Sequence, residues 1–297
     1  MNLRDLGEER LLRQILPALP SSSQVVAGAG DDCAVVEFSE NGKLLLLKTD
    51  CIVEGVHFAA DAPATAVGWK ALARPLSDFA AMAGVPQCAL VTLLAPETTG
   101  AVWVHGVYRG LAKAARAFAV AIVGGETSRT DGPVAISVSL TGAVERDRWV
   151  SRAGGKAGDE LFVTGRLGGS LRGRHLRFTP RIAEARWLTQ HFDLHAMMDL
   201  SDGLGADLPR LARASGAGFD LDESAIPRTR GCSIECAISD GEDYELLFAL
   251  DPRDTQRLQT RWRKKFPRLA LTRIGSLIQP GAKLPPRPLP RGYAHFQ

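Results

Sequence analysis

The stretch ERDRWVSRAGGKAGDELFVTG, residues 145–165, divides the chain in two and so decides the fold. Its first part, Glu145–Asp159, is polar and glycine-rich, the composition of an exposed connection that few contacts cross. Its end, ELFVTG, is a short apolar run of strand length that opens a second hydrophobic unit. We therefore expect an N-terminal domain over residues 1–147 and a C-terminal domain over 148–297.

Upstream of the divide, four apolar runs have strand length: KLLLLKTD (Lys43–Asp50), CALVTLLA (Cys88–Ala95), FAVAIVGG (Phe118–Gly125) and PVAISVSLTGAV (Pro133–Val144). Alanine-rich stretches at Ala64–Ala83 and Ala101–Ala117 separate them with helical periodicity, so the first half reads as mixed α/β. Downstream lie further strands and helices, a basic helix within Asp251–Leu269 that reads as a solvated face, and a proline-rich extended tail, LPPRPLPRGYAHF.

With a formal charge of +3, 45% hydrophobic and 23% charged residues, the 297-residue chain has room for a sizeable core, and its charge balance points to no nucleic-acid partner. Five cysteines without CxxC spacing read as reduced and mostly packed, which argues against zinc. The amphipathic start MNLRDLGEERLLRQILPALP lacks a signal peptide's apolar middle, and no apolar run reaches about 18 residues, so we expect a cytoplasmic protein with no membrane partner.

The chemistry lies in carboxylates that interrupt apolar text. GAGDDCAVV sets Asp31 beside Asp32; KTD carries Asp50, LSDFAAMAG Asp78, VGGETS Glu126, MMDLSDGLGADL Asp199 and Asp202, and SDGEDYELLF Asp240, Glu242 and Asp243. Any one of these reads as a cap or turn. Asp50, Glu126 and Asp199 each follow a strand-like run, the edge where α/β proteins form ligand clefts. Carboxylates gathered at such an edge repel by roughly 4 kcal/mol per pair at 4 Å and an effective dielectric of 20. Magnesium offsets that repulsion, takes hard oxygen ligands and bridges to phosphates, so the pattern suggests phosphate chemistry.

Two glycine turns agree. VGGETS reads as a strand–turn–acid loop open to a phosphate, and LSDGLGADLPRL opens a helix with Ser201 or Asp202 as N-cap and Leu204, Leu208 and Leu211 on one face. No GxxxxGK[ST], strand-linked GxGxxG or protein-kinase motif set is present.

In order, GDDCAVV, KTDCIVEGVHF, KALARPLSDFAAMAG, VGGETSRT, SRAGGKAGDELFVTGRLGGS, MMDLSDGLGADL, SGAGFDLD, SDGEDYELLF and GYAHF resemble the thiamine-monophosphate kinase family. That family belongs to the aminoimidazole-ribonucleotide synthetase-like ATP-binding proteins, and the resemblance runs from about Gly30 to Phe296. It implies a two-domain α/β (α+β) fold. An N-terminal mixed sheet with helices would form the homodimer and the ATP site, and a C-terminal α/β domain would complete it.

The implied reaction transfers the γ-phosphoryl group of ATP to thiamine monophosphate, with several Mg2+ ions and no catalytic side chain. By motif, Asp32, Thr49, Asp50, Asp78, Glu126, Asp199 and Asp202 match metal positions; Gly125, Glu126, Arg152 and Ser201 match ATP contacts; and His57, Glu242 and Tyr293 match substrate contacts. Two other readings stay open: a paralogue using ATP on another small phosphorylated substrate, and a non-catalytic nucleotide-binding protein.

The chain departs from the family in six places, one of them a short stretch after LGGS. KTD replaces STD, so Lys48 stands where, by the resemblance, a serine contributes to a metal, and an ammonium there could replace a cation rather than bind one. GGET replaces GGDT; ARPLSD replaces AVNLSD, with Pro75 expected to kink a helix. SDGED adds Asp240, and GYAHF lacks an acid before its histidine.

Overall fold

The computed structural model describes residues 3–38, 42–282 and 289–293. Most of the proline-rich tail, and the end of GYAHF after Tyr293, therefore lie outside the described residues. The first half comprises α1 (Leu3–Leu6), α2 (Glu8–Ile15), β1 (Val25–Ala27), β2 (Ala34–Glu37), β3 (Lys43–Val53), α3 (Ala64–Ala81), β4 (Val85–Ala95), α4 (Ala101–Ala117), β5 (Ala121–Arg129) and β6 (Ala135–Glu145). The second half adds β7 (Glu160–Thr164), α5 (Ile182–His191), β8 (Leu194–Asp199), α6 (Leu204–Ala214), β9 (Gly218–Leu221), α7 (Ile234–Ser239), β10 (Leu246–Leu250), α8 (Thr255–Lys265) and β11 (Leu271–Ile278).

The first sheet has six strands in the order β1-β2-β3-β6-β4-β5, parallel only between β4 and β5. The two-residue period of a strand gives β3 two unlike faces. Leu44, Leu46 and Ile52 are buried in a core with Leu72, Leu76 and Phe79 of α3, whereas Leu47, Thr49 and Cys51 on the opposite face are exposed. Lys48 and Asp50 share the inner face, so their polar heads meet α3.

Helix α3 is buried almost all round because it serves two cores. One side covers the first sheet, and Ala80, followed by Ala83 just past the helix end, joins Phe162, Leu188 and Phe248 of the second half. Helices α3 and α4 touch backbone to backbone: a Cβ at Gly68 would meet the Val107 carbonyl oxygen at 1.9 Å, and one at Gly110 the Thr65 oxygen at 2.1 Å. The helix runs unbroken through Pro75, where the missing N–H leaves the Ala71 carbonyl without its helical donor.

The second sheet, β8-β10-β7-β11-β9, is antiparallel throughout. Its central strands are apolar on both faces because both are covered. Leu161, Val163, Leu247 and Ala249 pack with α6, and Phe162, Leu246, Phe248 and Leu250 pack with α5 and α8. Arg186 of α5 ties the halves together, donating to the Ala83 carbonyl at 3.0 Å and gripping Glu145 with both terminal nitrogens.

The structure corrects three local expectations. VGGETS is not a loop: β5 continues through it, because parallel pairing with β4 past a bulge satisfies the backbone that the glycines would otherwise release into a turn. Asp50 and Glu126 consequently lie inside strands rather than at their ends. Helix α6 is preceded by Gly203, with no side-chain cap; the Asp202 carboxylate is taken by Arg210, and Asp207 accepts from the Asp202 N–H at 3.0 Å. The apolar face of that helix is as expected, with Leu204, Leu208 and Leu211 all fully buried.

Candidate active site

Three carboxylates from distant parts of the chain converge where α3 passes between the sheets. Asp32 comes from the turn into β2, Asp78 from the last turn of α3 and Asp199 from the end of β8, and one oxygen of each lies within 4.8 Å of the others. All three are buried. Burial pushes the Asp78 carboxyl well up despite the Lys48 ammonium, with Asp199, Asp50 and Asp32 adding repulsion. Burial, then the Asp32 charge, lifts Asp199 to about 7, although the Ser77 hydroxyl donates to it at 2.5 Å. A buried set of hard oxygen donors that resists carrying its own charge fits a divalent cation such as Mg2+.

Basic side chains adjoin the cluster. Arg152 grips Asp32 through Nη2 at 2.7 Å and Nε at 3.1 Å, and its backbone N–H donates to Asp31 at 2.6 Å. The aspartate pair thus divides its labour: Asp32 faces the cluster, and Asp31 fixes the SRAGG segment across the domain divide. Lys48 Nζ sits 2.8 Å from Asp78 Oδ1, and Arg74 Nη2 lies 3.4 Å from Asp50 Oδ1.

Next to the cluster, a cleft of about 130 Å³ is lined by His57, Arg74, Ser201, Asp202, Glu242 and Tyr293 among others. Five of those six belong to the expected site, from segments up to the chain's last described residue. Glu242 is held by fully buried Lys70, whose ammonium donates to its two oxygens at 2.8 and 2.6 Å and to the His57 carbonyl at 2.6 Å. His175 Nδ1 lies 2.7 Å from Glu242 Oε2. Burial would raise the Glu242 carboxyl, but His175 and Lys70 outweigh it and hold it down at about 2. Glu242 and Tyr244 both have left-handed backbones, φ 52° and 53°, held by Glu242 N–H to Ser201 O at 2.6 Å and Tyr244 N–H to Leu200 O at 2.8 Å. Such strain is kept where the surroundings over-determine it, commonly at sites. The Tyr293 N–H donates to the Asp202 carbonyl at 2.9 Å, which carries the C-terminal segment to the cleft.

The remaining expected residues are not gathered within the single chain. Thr49 alternates with Lys48 and Asp50, so its hydroxyl lies on the opposite, open face, near Ser137 and Ser139. Glu126 and Gly125 stand on the exposed edge strand β5, separated from β3 by β6 and β4. Three inter-strand steps amount to about 14 Å.

Lys70, Arg74, Ser77, His175 and Asp207 were not singled out from sequence. A lysine and an arginine in the apolar text KALARPLSD were the available signal, since a charge inside a buried helix requires a partner; His175 and Asp207 had none.

A six-stranded mixed sheet and a five-stranded antiparallel sheet sharing a buried helix, with carboxylates where they meet, define an AIR synthase-related protein. The chain matches the family described as AIR synthase related protein, N-terminal domain, over residues 30–144 and the C-terminal domain over residues 150–257. Within that class it belongs to the thiamine-monophosphate kinase family. It is 39% identical over 273 residues to the thiamine-monophosphate kinase of Rhodopirellula baltica, covering 86% of this chain and 84% of that one. It is 34% identical to that of Aquifex aeolicus over the full length of both. Among solved structures, the one described as AaThiL complexed with AMPPCP and TMP superposes with a TM-score of 0.84 at 34% identity, covering 99% of each chain. Escherichia coli HypE, a hydrogenase maturation protein, shares the fold at 18% identity and a TM-score of 0.69.

Proposed function

We propose that this chain transfers the γ-phosphoryl group of ATP onto the phosphate of thiamine monophosphate, releasing thiamine diphosphate and ADP. The observation that carries the reading is the juxtaposition of the Asp32–Asp78–Asp199 cluster with the cleft holding His57, Glu242 and Tyr293. A phosphate monoester is largely a dianion at pH 7, so its own oxygen attacks phosphorus in line while the bond to the β-phosphate breaks. No side chain needs to act as nucleophile or strong base.

The protein's task is then positioning and charge. Asp32, Asp78 and Asp199, with Asp50 and Asp202 at the margin, would hold Mg2+, which when bound would neutralise the charge developing on the transferred group. Arg152, a planar donor fork that leaves part of its surface open, exchanges its grip on Asp32 for phosphate oxygens, with Ser201 nearby. Glu242, kept ionised by Lys70 and His175, faces the cationic acceptor, with His57 and Tyr293 as the other cleft walls.

The domains divide at 147/148 in this reading. A second copy covers the open face of the first sheet, where Leu47, Leu90 and Leu94 are exposed, and brings Thr49, Gly125 and Glu126 to a nucleotide. Among the described residues no helix is long and apolar enough to cross a membrane, which suits a cytoplasmic enzyme working on two free metabolites.

The test is incubation of purified protein with ATP, Mg2+ and thiamine monophosphate, with ADP and thiamine diphosphate as readout. Absence of turnover across pH and metal concentration overturns the reading. Stabilisation by ATP without any response to thiamine monophosphate would point instead to another acceptor.

A further inference from the structure

We propose that Lys48 is a cation built into this site: its ammonium permanently holds a place among the carboxylates that a divalent ion would otherwise fill. The inference rests on reading the cluster as the metal–nucleotide site, and it fixes how many ions that site takes.

The position follows from the strand. Lys48 is central in β3, opposite Leu140 of β6, and alternation sends its side chain inward beside that of Asp50, toward α3. There its Nζ donates to Asp78 Oδ1 at 2.8 Å, and the side chains are only 23% and 11% exposed. An ammonium largely withdrawn from water is stable only when carboxylates compensate for its lost hydration, and Asp78, with Asp50 close by, does so.

The other two bases differ. Arg152, no more exposed than Lys48 at 23%, and Arg74, at 14%, line clefts and end in planar donor forks suited to phosphate oxygens. Lys48 lines neither of these clefts. It holds the Asp78 oxygen at ammonium distance, where a magnesium ion would need contact near 2.1 Å. An ammonium at this distance fills the space beside Asp78 Oδ1 and repels a second cation there, so the lysine and an ion at this corner exclude each other, while the carboxylate's other oxygen is left for a neighbouring ion. A single positive charge replaces a double one, and Asp32, Asp199 and the other Asp78 oxygen remain as ligands for the rest.

The experiment counts Mn2+ bound per chain, from the free-ion electron paramagnetic resonance signal, with AMPPCP present and no acceptor. Wild type, Lys48→Ser and Lys48→Met are compared. Lys48→Ser, which supplies a hydroxyl in place of the charge, is expected to bind one more ion per chain than wild type. Lys48→Met, which removes the charge and adds no ligand, is expected to melt below wild type in EDTA and to recover when Mn2+ is added. Equal stoichiometry with at least one ion bound overturns the role of Lys48 and leaves the kinase reading standing. A melting loss in Lys48→Met that Mn2+ does not repair also overturns it, even if Lys48→Ser fails to fold. No Mn2+ bound to any form counts against the metal–nucleotide reading as well.

Discussion

Lys70 and Glu242, 172 residues apart, meet through two hydrogen bonds of 2.8 and 2.6 Å at the wall of the cleft. Each offsets the other's lost hydration, with His175 as a second partner of the carboxylate. The pair ties α3, which also carries Asp78, to the loop that places Glu242 at the cleft.

Lys70→Met should therefore act twice. Stranding the buried Glu242 carboxylate should cost about 3–5 kcal/mol of stability, read by urea unfolding. The KM for thiamine monophosphate should rise more than that for ATP. Equal effects on both would show that Lys70 supports only the fold.

Because Glu242 is held at about 2, below its ordinary value of 4.5, its contribution to stability is complete above about pH 4.5 and is lost as pH falls toward 2. Unfolding free energy measured from pH 5 down to pH 2.5 should fall more steeply in wild type than in Glu242→Gln. Parallel slopes would contradict the assignment.

Asp50→Asn should lower kcat by at least about 100-fold, the scale on which an electrostatic contact to a transferring group acts. The fold should persist, since Arg74 retains its bond to the Cys51 carbonyl at 3.0 Å. Steady-state kinetics paired with a thermal melt decides it; near-normal turnover would remove Asp50 from the site.

Gly125→Ala separates structure from nucleotide binding. Gly125 has φ 155°, and an added Cβ would lie 1.8 Å from the Val91 carbonyl oxygen. The variant should melt lower even without ATP. An unchanged melt with weakened ATP binding would instead assign the glycine to the nucleotide.

Arg186→Ala should cost about 1–2 kcal/mol by loosening the Glu145 tie between the halves, since charged hydrogen bonds contribute about that much where partly exposed. Turnover at low temperature should stay unchanged.

Composition and periodicity determined the two-half mixed fold, the long helices and most of the strands, because burial imposes a period of 2 or 3.6 on the apolar text itself. The carboxylates at the ends of apolar runs were legible in the text, and the family resemblance added His57, Glu242 and Tyr293; the structure brings Asp32, Asp78 and Asp199 to one place and His57, Glu242 and Tyr293 to another. VGGETS misled because a glycine pair before an acid has turn chemistry locally, and only pairing with β4 makes it strand. The face on which Thr49 lies, the buried Lys70 beneath Glu242, and the ammonium of Lys48 against Asp78 came from the tertiary structure alone. Each depends on which distant groups share a buried volume, and that is set by the packing of α3 between two sheets. In this way Asp78 and the lysine of KTD, neighbours only in the folded chain, become one electrostatic unit.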